Sequence, residues 1–239
     1  MAFATASRTS QLFTAASNTY DVALPAVNSG DLILIWFSNY RDGSVNAPTG
    51  FSEIVVKADN FGSHVLYHKV SDGTETSAII DENRTGVEAA VIISIVSGWG
   101  GTFATDVDYS TAYFTSATVA SVGVTAGWGA DDNLVLSFVG ARDDAATYDV
   151  FPSGFTNTFQ VATDTGSNSS VEVAYCEKQV TTASATVGSY TLSELEAWRT
   201  IALIIKPGTS GGGGGPNTPI NPSITSLLPT SARLNWEQG

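Results

Sequence analysis

Cysteine is almost missing from this sequence: Cys176 is the only one in 239 residues. A single thiol can close no disulfide within the chain and build no cysteine-based zinc site, so packing and hydrogen bonds must hold the fold. A chain without disulfides is compatible with assembly in a cytoplasm. Basic residues are also scarce. Four Lys and six Arg stand against 23 acids, giving a net charge of −13, and only 14% of residues are charged. Phosphate backbones and anionic lipid repel such a chain, which excludes nucleic acid and membrane surfaces as partners. Long apolar runs are missing as well: the longest, Leu32 to Phe37, has six residues, against the roughly 20 of a membrane-spanning helix. The first residues, Met1-Ala2-Phe3-Ala4-Thr5-Ala6-Ser7-Arg8, have neither a basic nor an apolar region, and no secretory signal is expected. Helix signals are few. Ser193-Glu194-Leu195-Glu196-Ala197-Trp198 reads as one turn capped by Ser193, and no longer 3.6-residue period occurs.

What is present points to strands. The sequence holds 28 Thr, 27 Ser, 23 Gly and 11 Phe, and 43% of it is hydrophobic. Thr, Val, Tyr and Phe suit pleated strands, and Gly and Ser suit the turns between them. The order of motifs repeats. Asp31-Leu32-Ile33-Leu34, Pro48-Thr49-Gly50-Phe51, His64 to Lys69 and Val91 to Ile95 are answered by Asn133-Leu134-Val135-Leu136, Pro152-Ser153-Gly154-Phe155, Glu172 to Glu177 and Ile201 to Ile205. Matched positions lie 102 apart at Leu32 and Leu134, 104 at Gly50 and Gly154, 108 at Tyr67 and Tyr175, and 110 at Ile93 and Leu203. The slow drift is what loop insertions between two copies produce.

Apolar runs such as Leu32 to Phe37 fit strands covered on both faces, whereas Tyr20, Val22 and Leu24 alternate as a strand with one wet face does. The expected fold is all-β: a jelly-roll-like antiparallel β-sandwich built from two similar halves, or two small sandwiches packed together, with an extended C-terminal arm. Residues 1–19 form an N-terminal arm or first strand, 20–207 the double-repeat sandwich with halves near 20–105 and 106–207, and 208–219 a Gly/Pro linker. Five consecutive glycines, Gly211 to Gly215, make that linker flexible and its prolines stiffen it. Residues 220–239 resemble the first two strands of a fibronectin type III domain, with Leu227 before the turn and Trp236 as the core Trp. So short a piece cannot bury its own apolar face. The tail is therefore either a shortened module or a segment that docks on a neighbouring subunit through Ile224, Leu227, Leu234 and Trp236.

Catalytic chemistry is hard to find. His64 and His68 are the only histidines. On a strand they stand about 13 Å apart, too far to share a metal, and read as surface or rim residues. No Gly-x-Ser-x-Gly elbow occurs. The pairs Asp106 and Asp108, Asp131 and Asp132, and Asp143 and Asp144 fall in loops; they could hold Ca²⁺ but match no calcium-loop spacing and read first as solvated acids. No cofactor is expected otherwise. Glu172 and Glu177, five apart on a strand, face opposite sides and cannot flank one glycosidic bond. Trp99 and Trp128 sit among glycines and are candidates for stacking on a glycan, or else cover the sandwich ends. Trp36 and Trp198 read as core. Asn83-Arg84-Thr85 and Asn168-Ser169-Ser170 fit the glycosylation pattern only incidentally.

The ordered set Gly30-Asp31-Leu32, Pro48-Thr49-Gly50-Phe51, Leu66 to Val70, Val96-Ser97-Gly98, and the second copy ending Trp198 to Pro207 resembles double-repeat β-sandwich domains. These occur in tailed-phage virion proteins of decoration or tail-fibre type and in large bacterial surface proteins. There such domains precede glycine-rich linkers and fibronectin type III modules. The resemblance covers Tyr20 to Pro207 and transfers no catalytic residues. It implies a non-enzymatic structural protein of a bacteriophage virion, a capsid decoration protein displayed on a particle assembled in the host cytoplasm. Its partners would be the major capsid protein or neighbouring virion subunits, sister copies in a homo-oligomer, and a host surface glycan. The alternative is a carbohydrate-binding module or a receptor-binding tail-fibre component, with Trp99, Trp128 or the pair Tyr109 and Tyr113 exposed and coplanar.

Overall fold

The chain is described from a computed structural model covering residues 2–40, 44–59, 62–82, 87–142, 148–163 and 170–208. Asp143, Asp144, both glycosylation-like tripeptides in whole or part, and the tail residues Ile224, Leu227, Leu234 and Trp236 lie outside the described residues. The first eight strands are β1 (Thr5–Ser17), β2 (Thr19–Ala23), β3 (Leu32–Asn39), β4 (Val45–Asn46), β5 (Ser52–Asp59), β6 (Gly62–Val70), β7 (Ser77–Glu82) and β8 (Val87–Ser97). After a single helical turn, α1 (Phe103–Asp106), come β9 (Val107–Val119), β10 (Val122–Thr125), β11 (Asn133–Arg142), β12 (Tyr148–Val150), β13 (Thr156–Ala162), β14 (Val171–Val180), β15 (Ser184–Val187) and β16 (Tyr190–Ile205).

All strand pairs are antiparallel. One large sheet runs β1-β8-β3-β6-β5; the other runs β9-β16-β11-β14-β13, with β12 beside the start of β16. The second order is the first with eight added to each strand. Two small sheets, β2-β7-β4 and β10-β15, repeat the rule. In the first set β1 to β4 alternate between the large and the small sheet, β5 and β6 share the large one, and β7 and β8 alternate again, a jelly-roll-like connectivity. The two sets differ at one place: β4 pairs with β7, whereas β12 pairs with β16 rather than β15.

The layers explain the six-residue apolar run. Leu32, Leu34 and Trp36 point into a core between the large sheets, with Leu134, Leu136, Phe138, Ile201 and Leu203 opposite. Ile33, Ile35 and Phe37, on the other face of β3, pack against Tyr20, Val22 and Ile80 of the small sheet. On the far side, Val135, Val139, Ala202 and Ile204 meet Val122, Val124 and Val187. The body is thus four sheets deep, and β3 and β11, one in each inner sheet, are covered on both faces. Burying each Val, Leu or Ile contributes about 1.5–3 kcal/mol.

β3 and β11 meet at the centre through positions 102 apart. Trp36 stacks on Phe138 with centroids 6.2 Å apart, and Gly140 lies against the Ser38 hydroxyl. Arg142 Nη2 donates to Tyr40 Oη at 2.6 Å, its guanidinium 4.0 Å from that ring's centroid.

Strand register corrects two of the matches read from sequence. Lys69 lies opposite Ile33, and Lys178 opposite Val135, so Lys69 corresponds to Lys178 and Tyr67 to Cys176, each 109 apart. Likewise Ile93 corresponds to Ala202, because they pair with Ile35 and Ser137. A one-residue slip moves a side chain to the other face: Tyr175 lies in the central core, whereas Tyr67 faces the small sheet. The corrected match places each lysine over the Phe of its Pro-x-Gly-Phe turn, Lys69 over Phe51 at 5.9 Å and Lys178 over Phe155 at 5.8 Å. Gly50 and Gly154 take φ of 81° and 77° there, the left-handed conformation that favours glycine.

One further expectation changes. Residues 193–198 are strand, inside β16. The Ser193 turn signal is outweighed because residues 196–205 form a continuous ladder with β9, and each ladder position satisfies backbone groups that an isolated turn would leave open. Of the two readings of residues 1–19, the strand holds: Thr5 to Phe13 pair with β8 and make β1 a strand of the first large sheet.

Candidate functional site

Titratable and nucleophilic side chains inside the body are sealed. His64, expected at the surface, is 1% exposed: β6 turns it inward, where it stacks on Trp36 at 6.3 Å and its Nδ1 lies 3.0 Å from Ser38 Oγ. No sequence signal joins residues 26 apart on different strands; the β3–β6 register does. The Ser38–His64 pair has the geometry of a nucleophile and base, but neither side chain reaches solvent and the Gly140 backbone closes over both. A substrate has no approach to it. His68 is half-buried, its ring 3.6 Å from that of Phe103, and burial lowers its pKa.

The acidic pairs are engaged in local structure. Asp106 is buried, accepts from the Thr102 backbone N–H at 3.0 Å and lies 3.6 Å from Lys206 Nζ. Asp108 accepts from the Gly127 N–H at 2.6 Å, and Asp131 from the Asp132 N–H at 2.8 Å. Among the described residues no three His, Cys, Asp or Glu gather as metal ligands. Glu172 is buried on the outer face of β14 beside Ala174 and Cys176, and Glu177 takes the Tyr175 hydroxyl on the inner face; the two carboxylates do not converge.

The tryptophans cover the ends of the body. Trp99 is 6% exposed, donates Nε1–H to the Gly30 carbonyl at 2.8 Å and pairs with Pro207 in an isolated bridge. Its position among glycines signals close backbone approach, and the ring fills the opening instead of standing in solvent. The expectation of an exposed Trp99 platform for a glycan is therefore corrected. Trp128 is half-buried, with its Nε1–H donated to Asn133 Oδ1 at 2.9 Å and its ring against the outer core.

The exposed aromatic surface lies on β9. Tyr109 and Tyr113 are 48% and 55% exposed, with Thr111, also exposed, between them on the same face. Four strand residues place the two phenols about 13 Å apart. The same face of β16 carries Arg199 beside Tyr113, its guanidinium 4.5 Å from the ring centroid. Arg199 is 6% exposed and burial lowers its pKa to about 10, so it remains charged at neutral pH and holds one face of Tyr113. The result is a row of two phenols and a threonine hydroxyl beside the Arg199 cation, groups that stack and hydrogen-bond. Comparison of the chain with protein-family models, with curated proteins and with solved structures finds no match.

Proposed function

We propose that the chain is a non-enzymatic structural protein of a bacteriophage virion, a decoration module displayed on the capsid surface and produced by duplication of one jelly-roll unit. The observation that carries this reading is where the functional groups lie. The core between the two large sheets is filled with apolar side chains from both strand sets, the Ser38–His64 pair is sealed, and the Tyr109–Thr111–Tyr113 row on β9 is exposed. An inert interior with an adhesive edge suits a particle component, and the net charge of −13 keeps neighbouring particles apart. Jelly rolls serve viral shells and lectins alike, so the fold supports the reading by analogy only.

Attachment to the major capsid protein, or to sister copies, would run through the tail residues Ile224, Leu227, Leu234 and Trp236. Chain lacking residues 208–239 should lose its place on purified particles; unchanged occupancy removes the tail from attachment, and absence of the full chain from every particle fraction overturns the reading. A second reading, a glycan-binding or tail-fibre receptor module, is favoured by the exposed Tyr109 and Tyr113. On a glycan array it requires saturable binding by the wild type that Tyr109→Ala and Tyr113→Ala abolish.

A further inference from the structure

We infer that β9 is a self-pairing edge, through which two copies of this chain join their second large sheets into one. An uncovered strand edge presents a row of backbone donors and acceptors, and proteins usually blunt it. Three of the four outer edges of the large sheets are blunted. β5 carries a bulge between Glu53 and Val55, and β13 a bulge between Thr156 and Phe159, with Asn157 at φ 51°. β1 carries Arg8 in mid-strand and shifts register between Phe13 and Ser17, and its Gln11 side chain is bonded to the backbone of Asp21 and Ala23 in β2. β9 shifts register only near its end, between Ser116 and Thr118, and carries no irregularity before that. Among the described residues it pairs with β16 alone, unbroken from Val107 to Ser116, and its single charge, Asp108, is turned to the Gly127 N–H.

The sequence of β9 is also complementary to itself. A two-fold axis normal to the sheet keeps each face continuous, which requires opposed residues of like parity. Centred on Thr111, that axis sets Thr111 against Thr111 of the second copy, and Tyr109 against Tyr113 of the second copy twice over. Val107 then meets Thr115, Asp108 meets Phe114 and Ser110 meets Ala112. Aromatic–aromatic and Thr–Thr opposites are the favourable cross-strand pairs, and no like charges face each other.

The pairing names how sister copies touch under the particle reading but does not need a particle. A monomer in solution would overturn the pairing and leave the particle reading standing, while a dimer found on no particle would do the reverse. Nine residues a side is less than the roughly 20–30 of a standard interface, so a weak dimer, in the range of about 10 μM to 1 mM, is expected. Sedimentation velocity of the full chain over rising concentration should give a monomer–dimer shift. Thr111→Lys and Thr111→Glu, at an exposed site, should each be monomeric, and an equimolar mixture of the two should dimerise again because Lys then faces Glu. A wild type still monomeric at about 1 mM, single variants that dimerise as the wild type does, or a mixture that stays monomeric would each overturn the pairing. Should either variant misfold, Thr111→Cys decides: mild oxidation should yield a covalent dimer, since Cys176 is buried, and no dimer band above the wild-type background overturns the pairing.

Discussion

Trp36 and Phe138 face each other across the central core, ring centroids 6.2 Å apart, and they hold the same position in two strands of the same order. The sandwich is joined where each strand set offers its most enclosed strand to the other. Most of the cohesion between the inner sheets therefore rests on residues that are also the middle of each set's own hydrogen-bonded ladder.

Trp36→Ala and Phe138→Ala should each cost about 3–5 kcal/mol, measured by urea unfolding. Because the rings touch, the double variant should cost less than the sum by at least about 0.5 kcal/mol. Strict additivity would mean that the stack contributes nothing beyond burial.

Gly140→Ala tests how tightly the sealed pair is packed. A Cβ there would lie 2.4 Å from Ser38 Oγ and 2.6 Å from His64 Nδ1. The variant should lose about 1–3 kcal/mol through overpacking, and Ser38→Ala in the same chain should recover part of it. A fully stable Gly140→Ala protein would show that the inner sheets separate easily at this end.

Acid should unfold the protein through Glu75 and His68 together. Burial would raise the Glu75 carboxyl, but the Lys69 ammonium at 2.7 Å, the Ser71 hydroxyl and the Asp72 backbone N–H outweigh it and hold the pKa well below the usual carboxylate range. A depressed acid contributes stability that is present above its unfolded pKa, about 4.3, and is lost as pH falls through the folded value. His68, its pKa lowered by burial, contributes above about 6.5 and loses that contribution as pH falls below it. Melting temperature should drop in two stages below neutrality. Glu75→Gln should cost about 1–2 kcal/mol at pH 7 and flatten the stage below pH 5; an unchanged acid limb would assign that loss to other carboxylates.

Cys176 should be chemically silent in the folded protein. Burial pushes its thiol up to about 12, and Tyr190 Oη lies 3.0 Å from the sulfur. Thiolate is the reactive form, so Ellman's reagent should label the chain only as fast as it opens. Rapid labelling at neutral pH in the absence of denaturant would show that the outer core around β10 and β15 breathes on its own.

The sequence by itself determined the strand content, the turns and the two-sided burial of β3. Composition favoured pleats, glycines after Pro48 and Pro152 marked left-handed turns, and an apolar run without alternation left no wet face. It also determined the repeated order of those motifs. Tertiary structure alone decided the rest, because sheet register and sheet stacking join residues far apart in the chain. The β3–β6 ladder brought Ser38 to His64, and the stacking of the inner sheets closed Gly140 over both. Packing at the end of the body buried Trp99, whose glycines suggested a loop. The outermost place of β9 left Tyr109 and Tyr113 in solvent, although strands of like composition elsewhere are enclosed. A pattern of two fixes which residues share a face; only the neighbouring layer decides whether that face is covered.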